Sequence, residues 1–484
     1  MKQSVRTLIS LIPVVVLVTI LAINIGIYGA DAIMGASQVA LLASSGVCIV
    51  LGTLFFKTPW KTFENAIRNN FADVAGATLI LFLIGGVSGT WMMSGVVPTF
   101  ICYGVKIIGP RVFLVSACVI CAVVSLMTGS SWTTIATIGV ALLGIGRAEG
   151  FSDGMIAGAI ISGAYFGDKI SPLSDTTVMA SSVNKVPLFT HIRYMMITTV
   201  PSLIVALILF TILGVTHKGG GPVESELYTT VLASRFTITP WLLIVPVLTL
   251  VLIARRVPAM PVLAISILVA AAAALIFQPG IIETIGAKVT EGSRARILLT
   301  GTIETVYNTV SLETGHPEVD GLLVTRGMVG MLNTVFLILC AMCFGACMQA
   351  CGMIADLARM LSPLTRTRTG LVASTVVTGT ALNGIVSDQY LAILLTSNIF
   401  GETYRGLGYE ERLLSRSVED SATCTSPLVP WGSCGMTQAT ILSVPTLTYA
   451  PFCFFNLISP LMSICIAAIG WKIVPPKRTS EEVK

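Results

Sequence analysis

Gly163-Ala-Tyr-Phe-Gly-Asp-Lys-Ile-Ser-Pro-Leu-Ser-Asp-Thr-Thr177 is a polar island in an apolar chain. It gathers the carboxylates of Asp168 and Asp175, the lysine Lys169, the hydroxyls of Ser171, Ser174, Thr176 and Thr177, and Tyr165 around Pro172. Apolar runs lead up to it and away from it. Polar groups in such a place cost free energy unless they bind one another or a ligand. Pro172 lacks a backbone donor and disfavours helix at Ser171, so a helix break is expected between Asp168 and Asp175. Freed carbonyls and hydroxyls suit a small hard cation, which prefers oxygen ligands. Asp168, Ser171, Ser174, Asp175, Thr176 and Thr177 are therefore the first candidate ligands.

The surrounding composition sets the class. The chain has 484 residues, of which 54% are hydrophobic and 11% charged, with a mean hydropathy of +0.88. Soluble domains carry about 25% charged residues. This is the composition of an all-helical polytopic membrane protein whose main partner is the lipid bilayer. A net charge of +5 calls for no nucleic acid; excess Lys and Arg is ordinary where loops follow the positive-inside rule. The apolar run 8–28 exceeds a signal-peptide core of about 7–15 residues and reads as an uncleaved first span. Twelve cysteines include the formal pairs Cys118/Cys121 and Cys340/Cys343. They lie in apolar helical runs with no histidine beside them, so they read as packing residues and imply no cofactor.

A span needs about 20 apolar residues. Runs 8–28 and 33–56 supply two. Residues 57–70 read as an amphipathic surface helix or re-entry segment. The run 74–108 is too long for one straight span, and its glycines predict a break near Ser88–Gly95. Run 111–143 is interrupted by Thr128-Gly-Ser-Ser-Trp-Thr-Thr134, where hydroxyls and glycine weaken the helix. Run 191–215 closes the first half. The polar stretch 218–239 divides the chain into a first repeat, 1–217, and a second, 240–484. Within the second half the polar segment 278–326 is expected outside the bilayer or on its surface.

Three anchors recur in order. Thr128-Gly129 returns as Thr378-Gly379, 250 residues on; Ser171-Pro-Leu173 as Ser426-Pro-Leu428, 255 on; Gly95 as Gly352, 257 on. The pattern predicts two inverted-topology repeats whose broken or re-entrant helices meet at mid-membrane, the architecture of secondary transporters. The second motif, Glu419-Asp-Ser-Ala-Thr-Cys-Thr-Ser-Pro-Leu-Val-Pro-Trp-Gly-Ser433, has the same order of acids, hydroxyls and proline. It adds Asp420, Ser421, Thr423 and Ser426 to the candidates, and the break regions 129–134 and 379–383 add Ser130 and Asn383. Asp175 and Asp420 are the acids expected to be buried and to hold sodium. Lys169 could instead neutralise Asp168, Glu419 could face a loop beside Arg416, and Asp388 could sit at a helix end facing water. His191, His217 and His316 lie in or near polar connectors, which leaves carboxylates to carry any protons. No nucleophile–base pair accompanies the motifs, so a transporter is expected rather than an enzyme.

Both motifs, with Ser88-Gly-Thr-Trp91, Ser94-Gly95, Val97-Pro98-Thr99 and Gly129-Ser-Ser-Trp-Thr-Thr134, resemble the NhaC family of sodium/proton antiporters within the ion transporter superfamily. The resemblance implies exchange of Na+ for H+ across a bacterial inner membrane, and a homodimer. Some members of that family couple cations to organic solutes, as in malate/lactate exchange or amino-acid uptake. This chain departs from the family pattern at Val178, Ala422 and Gly432. Amides absent at Val178 and Gly432 leave room for a larger substrate, so Na+- or H+-coupled carriage of a small carboxylate or amino acid is the alternative. Lys2, Arg6, Lys57, Lys61 and Arg68 favour a cytoplasmic N-terminus.

Overall fold

The structure, a computed structural model, describes residues 3–28, 35–217, 222–255, 257–316, 319–320, 323–359 and 367–473. All regular elements among them are helical, apart from one isolated bridge between Val310 and Thr325. In the first half α1 is Gln3–Tyr28, α2 Ala36–Phe55, α3 Trp60–Met93, α4 Val96–Ile107, α5 Pro110–Thr128, α6 Ser131–Thr134, α7 Val140–Ala148, α8 Asp153–Ile170, α9 Asp175–Val183 and α10 Leu188–Thr216. The second half comprises α11 Pro222–Arg235, α12 Ile244–Ala254, α13 Ala259–Phe277, α14 Pro279–Ala287, α15 Arg294–Tyr307, α16 Leu332–Ala350 and α17 Met353–Arg359. It ends with α18 Arg368–Val386, α19 Gln389–Gly406, α20 Glu411–Val418, α21 Ser433–Leu442, α22 Thr446–Tyr449 and α23 Phe454–Ile469.

Eight of these helices are long and apolar enough to cross a membrane, or ten if each of two bent pairs is one span. The chain is an all-helical polytopic membrane protein. Its outer helices turn apolar side chains outward: Leu8, Ile27, Ile204, Ile208, Leu268 and Ile276 are each more than half exposed. Such a belt suits lipid, and helices satisfy their own backbone bonds there.

Residues 57–70 do not form a separate surface helix. From Trp60 on they are the first third of α3, a single helix of 34 residues. At about 1.5 Å per residue it outruns a hydrocarbon core of about 30 Å. Its glycines do not break it before its end. Gly85 and Gly89 are a notch: a Cβ there would lie 2.3 Å from the Gly327 carbonyl oxygen and 2.1 Å from that of Thr305. The polar segment 278–326 thus docks its α14–α15 hairpin on α3. The break comes at Ser94–Gly95, where Gly95 takes a left-handed φ of 83°.

Helix α8 lies against α5 through the same device. A Cβ on Gly163 would sit 2.0 Å from the Cys118 carbonyl oxygen, and one on Gly167 2.3 Å from that of Ala122. Small residues four apart let two backbones approach this closely. Ser125 adds a hydrogen bond from its hydroxyl to the Ala164 carbonyl, 2.6 Å.

Left-handed breaks recur in the second half, but not all where the repeated words put them. Gly352 (φ 70°) follows α16 as Gly95 follows α3. Gly379 is no break: it lies inside α18, where a Cβ would meet the Ser421 hydroxyl at 2.4 Å. The counterpart of Gly129 (φ 68°) is Ser387 (φ 59°), which ends α18 as Gly129 ends α5. The stretch 218–239, read as a linker, contains α11, which meets the segment Pro240–Ala254 at 94°.

Candidate functional site

Two of the breaks touch. Gly129 closes α5, and Ser130 caps the next helix by accepting from the Thr133 amide. A Cβ on Gly129 would lie 2.6 Å from the Leu173 carbonyl carbon, so the Pro172 break is seated on the Gly129 break. Ser171 fastens it by donating to the Leu126 carbonyl, 2.8 Å. The break lies where Pro172 was expected to put it: α8 stops at Ile170 and α9 starts at Asp175.

Asp168 ends up between these breaks. One of its oxygens accepts from the amide (3.1 Å) and hydroxyl (2.7 Å) of Ser131, and only 6% of the residue is exposed. Ser174 caps α9 and shares a hydrogen bond with the Thr176 hydroxyl, 3.0 Å. Thr177 turns away and donates to the Lys169 carbonyl, 2.9 Å, closing the end of α8.

A third arm comes from the second half. After Ser387, Asp388 caps α19 by accepting from the Leu391 amide at 3.0 Å. Its other oxygen lies 3.5 Å from the Ser433 hydroxyl, and the Ser433 amide donates to the Ser387 carbonyl. The three arms enclose a cavity of about 1060 Å³. Ser130, Ser131, Asp168, Ser174, Asp175, Thr176, Asp388, Gln389 and Ser433 form its polar wall, with Trp132, Met179, Met342 and Tyr390 among the apolar and aromatic lining. Asp175 is exposed to the opening rather than buried as expected. Among the described residues no lysine, arginine or histidine lines this cavity.

The second motif lies behind the cavity rather than in its wall. Glu419–Thr423 forms a π-helical turn, followed by a 3-10 turn at Ser426–Leu428, and only Ser433 of that motif reaches the lining. Asp420 is not an open cation ligand. It is ion-paired with Lys169, accepts from Thr198 at 2.9 Å, and lies 3.8 Å from Arg416; Lys169, Asp420 and Arg416 have fully buried side chains. Lys169 therefore neutralises Asp420, not Asp168, and donates also to Ser459 at 2.9 Å. Ser421 bonds back to the Ser417 carbonyl, and Ser426 donates to Gln389 at 3.2 Å. The Thr423 side-chain hydroxyl is buried without a hydrogen-bond partner among the described residues. Asn383 stays inside α18 and donates to the Ala422 carbonyl and the Thr425 hydroxyl. Glu419 is fully buried rather than loop-facing. His191, near the start of α10 and so close to a connector, is likewise buried, 2.9 Å from the Ser415 hydroxyl.

Two residues of the lining were not among the candidates: Ser131, and Asp388, which does stand at a helix end but is only 6% exposed. The available signal for Asp388 was an acid just after a long apolar run, a helix-cap pattern. The three departures from the family pattern do not shape the cavity, since Val178, Ala422 and Gly432 are absent from its described lining.

Comparison with known proteins follows this geometry. A family model described as the Na+/H+ antiporter family matches residues 3–179 and 163–471, two stretches that overlap on the Pro172 motif. The Na+/H+ antiporter NhaC of Alkalihalophilus pseudofirmus is 37% identical over 427 residues, covering 88% of this chain and 89% of that protein. The malate-2H+/Na+-lactate antiporter of Bacillus subtilis is 35% identical over 436 residues, 90% and 89% of the two chains. The arginine/ornithine antiporter ArcD of Halobacterium salinarum is 30% identical over 484 residues, 98% and 94%.

Proposed function

The chain belongs to the Na+/H+ antiporter family, and from that premise we propose that sodium and protons exchange at the cavity between the three breaks. It is a multi-pass protein of the bacterial membrane and a secondary transporter, not an enzyme. The observation that carries the site is the meeting of Asp168 and Asp175 at one cavity with no basic side chain among its described lining. A desolvated carboxylate needs a neutralising partner. Lys169 and Arg416 are committed elsewhere, beside Asp420. What remains is a proton or a metal cation, and one site that holds either gives exchange by competition.

In this reading sodium is held by the carboxylates with the hydroxyls of Ser130, Ser174 and Thr176. When it leaves, a proton takes its place on a carboxylate oxygen, so the site carries the same net charge either way. Ser131 keeps one oxygen of Asp168 oriented. Two inverted repeats would supply the motion, each rocking against the other around the site. The paired breaks at Gly95 and Gly352 and at Gly129 and Ser387 support that repeat. The opening lies beside the α12–α13 turn and Asn70. Lys57, Lys61 and Arg68 precede Asn70 in sequence and Arg255 lies in that turn, which supports a cytoplasmic opening.

The test is transport by purified protein in proteoliposomes loaded with sodium and diluted into sodium-free buffer. Sodium efflux should acidify the lumen, and Asp168→Asn should abolish the change. A folded, inserted wild-type protein giving no sodium-dependent pH change would sink the proposal.

A further inference from the structure

We propose that a second cavity, at the end of α13 away from the ion site, holds one anionic phospholipid with its phosphodiester between Arg235 and Lys288. The cavity, of about 880 Å³, lies where the ends of α11 and α13 meet α14 and residues 311–313. It shares no lining residue with the ion cavity, which sits beside the α12–α13 turn. One wall is firmly built. Gln278, which follows α13 and is 4% exposed, accepts from the Thr237 amide and donates to the Thr237 carbonyl, both at 3.0 Å. That two-way clasp fixes the chain just past α11 against the start of α14. Arg235 precedes the clasp by two residues and Lys288 closes α14; both line the space.

Charge selects an anion. Among the described residues neither Arg235 nor Lys288 forms an ion pair, and Glu313 is the one acid of the described lining. Two cations and one carboxylate leave a single positive charge, which a phosphodiester matches. A zwitterionic headgroup would leave that surplus in place. A guanidinium fork takes two phosphate oxygens at once, and a lysine adds a point charge. The hydroxyls of Thr237, Thr284 and Ser311 also reach the cavity and, with Glu313, suit the hydroxyls of a glycerol headgroup.

Position selects a lipid over a soluble phosphate. Ile276 lines the cavity and ends a stripe of exposed side chains, Ile265, Leu268, Ala272 and Ile276, that recurs turn by turn along α13. Helix α13 has 19 residues; at about 1.5 Å each they match a hydrocarbon core of about 30 Å, so its ends lie at headgroup level. Gln278 and Leu242 both pack on Gly95, which puts the exposed Trp241 at this same end. Exposed tryptophan is typical of the membrane–water interface. An acyl chain lying on the α13 stripe therefore delivers its headgroup to Arg235 and Lys288. A free phosphate would use the charges and leave the stripe unused.

Native mass spectrometry of the purified full chain in detergent decides the matter, with dioleoyl phosphatidylglycerol, dioleoyl phosphatidylcholine and inorganic phosphate as probes. One phosphatidylglycerol should stay bound per chain, and phosphatidylcholine should bind at least about tenfold more weakly. The double variant Arg235→Gln, Lys288→Gln should lose at least about tenfold in affinity for phosphatidylglycerol. Arg193→Gln with Arg296→Gln, which removes two charges elsewhere, should lose little. Independently of any variant, retention by the wild type should weaken as ammonium acetate is raised, because the contact is ionic. Equal binding of the two lipids, or retention that ignores salt, overturns the proposal. Wild-type affinity in the Arg235/Lys288 variant overturns it too. Displacement of phosphatidylglycerol by inorganic phosphate at comparable concentration would replace the lipid with a soluble phosphate and overturn it as stated.

Discussion

Lys169 and Asp420, 251 residues apart in sequence, form an ion pair in which neither side chain has any exposed surface. The pair ties the first motif to the second and stands beside the cavity without lining it. Removing one member leaves the other charged and buried, which costs about 3–5 kcal/mol, whereas replacing both with apolar residues can be neutral. Lys169→Met and Asp420→Leu should each lower the thermal midpoint in detergent, and the double variant should recover most of the loss. A double variant no more stable than the worse single one would mean that buried Arg416, 3.8 Å away, needs the Asp420 carboxylate as much as Lys169 does.

The three cavity acids should behave differently from Asp420. Asp168→Asn, Asp175→Asn and Asp388→Asn keep size and hydrogen bonding but remove charge. Each should cut sodium-driven pH change at least about tenfold with little effect on folding. Asp388→Asn preserves the helix cap, since Asn caps as well as Asp; Asp388→Ala should additionally cost about 1 kcal/mol of stability. Comparing transport and melting across the two Asp388 variants separates the two roles.

Gly129 and Ser387 occupy matching left-handed breaks at opposite costs. The left-handed region costs an L-residue about 1–2 kcal/mol. Ser387→Gly should therefore be tolerated and raise stability by up to about 1 kcal/mol. Gly129→Ala meets both the strain and the Leu173 backbone at 2.6 Å, so it should lose transport and stability together. Wild-type exchange by Gly129→Ala would show that the two first-half breaks are not in register during transport.

Outside the spans, Asp320 accepts from the Thr314 amide at 2.6 Å and hydroxyl at 2.5 Å. The Thr314 hydroxyl, followed by its amide, holds the Asp320 carboxyl below the usual range. A lowered native value means the contribution is present above the ordinary carboxylate value and is lost as pH falls through the lowered one. Amide exchange at Thr314 should therefore be slow near neutrality and quicken, relative to its intrinsic rate, only in acid. Asp320→Asn should remove that extra dependence.

How much of this was legible depended on the kind of signal. The Pro172 break could be read because proline acts through its own backbone. The Gly129 break could be read because glycine and hydroxyls interrupt an apolar run. The Ser387 break carries neither glycine nor proline, so the word Thr378-Gly379 drew attention to a glycine that packs rather than breaks. The α3 glycines misled in the same way: their role depends on the carbonyls of Thr305 and Gly327, elements far along the chain. Asp420 looked like a cation ligand by its motif, but Lys169 and Thr198 settle its role from a distance. Local chemistry was readable; the identity of a partner some 250 residues away was not.

The contacts of Gly163 and Gly167 with the carbonyls of α5, and of Gly129 with the backbone at Leu173, have a mechanical meaning. Backbones this close have no side-chain layer between them to shear. Helices α5 and α8, with both of their breaks, can turn only as one lever. A tilt at the far end of either helix is delivered undiminished to Asp168, and the hinges must lie outside this block.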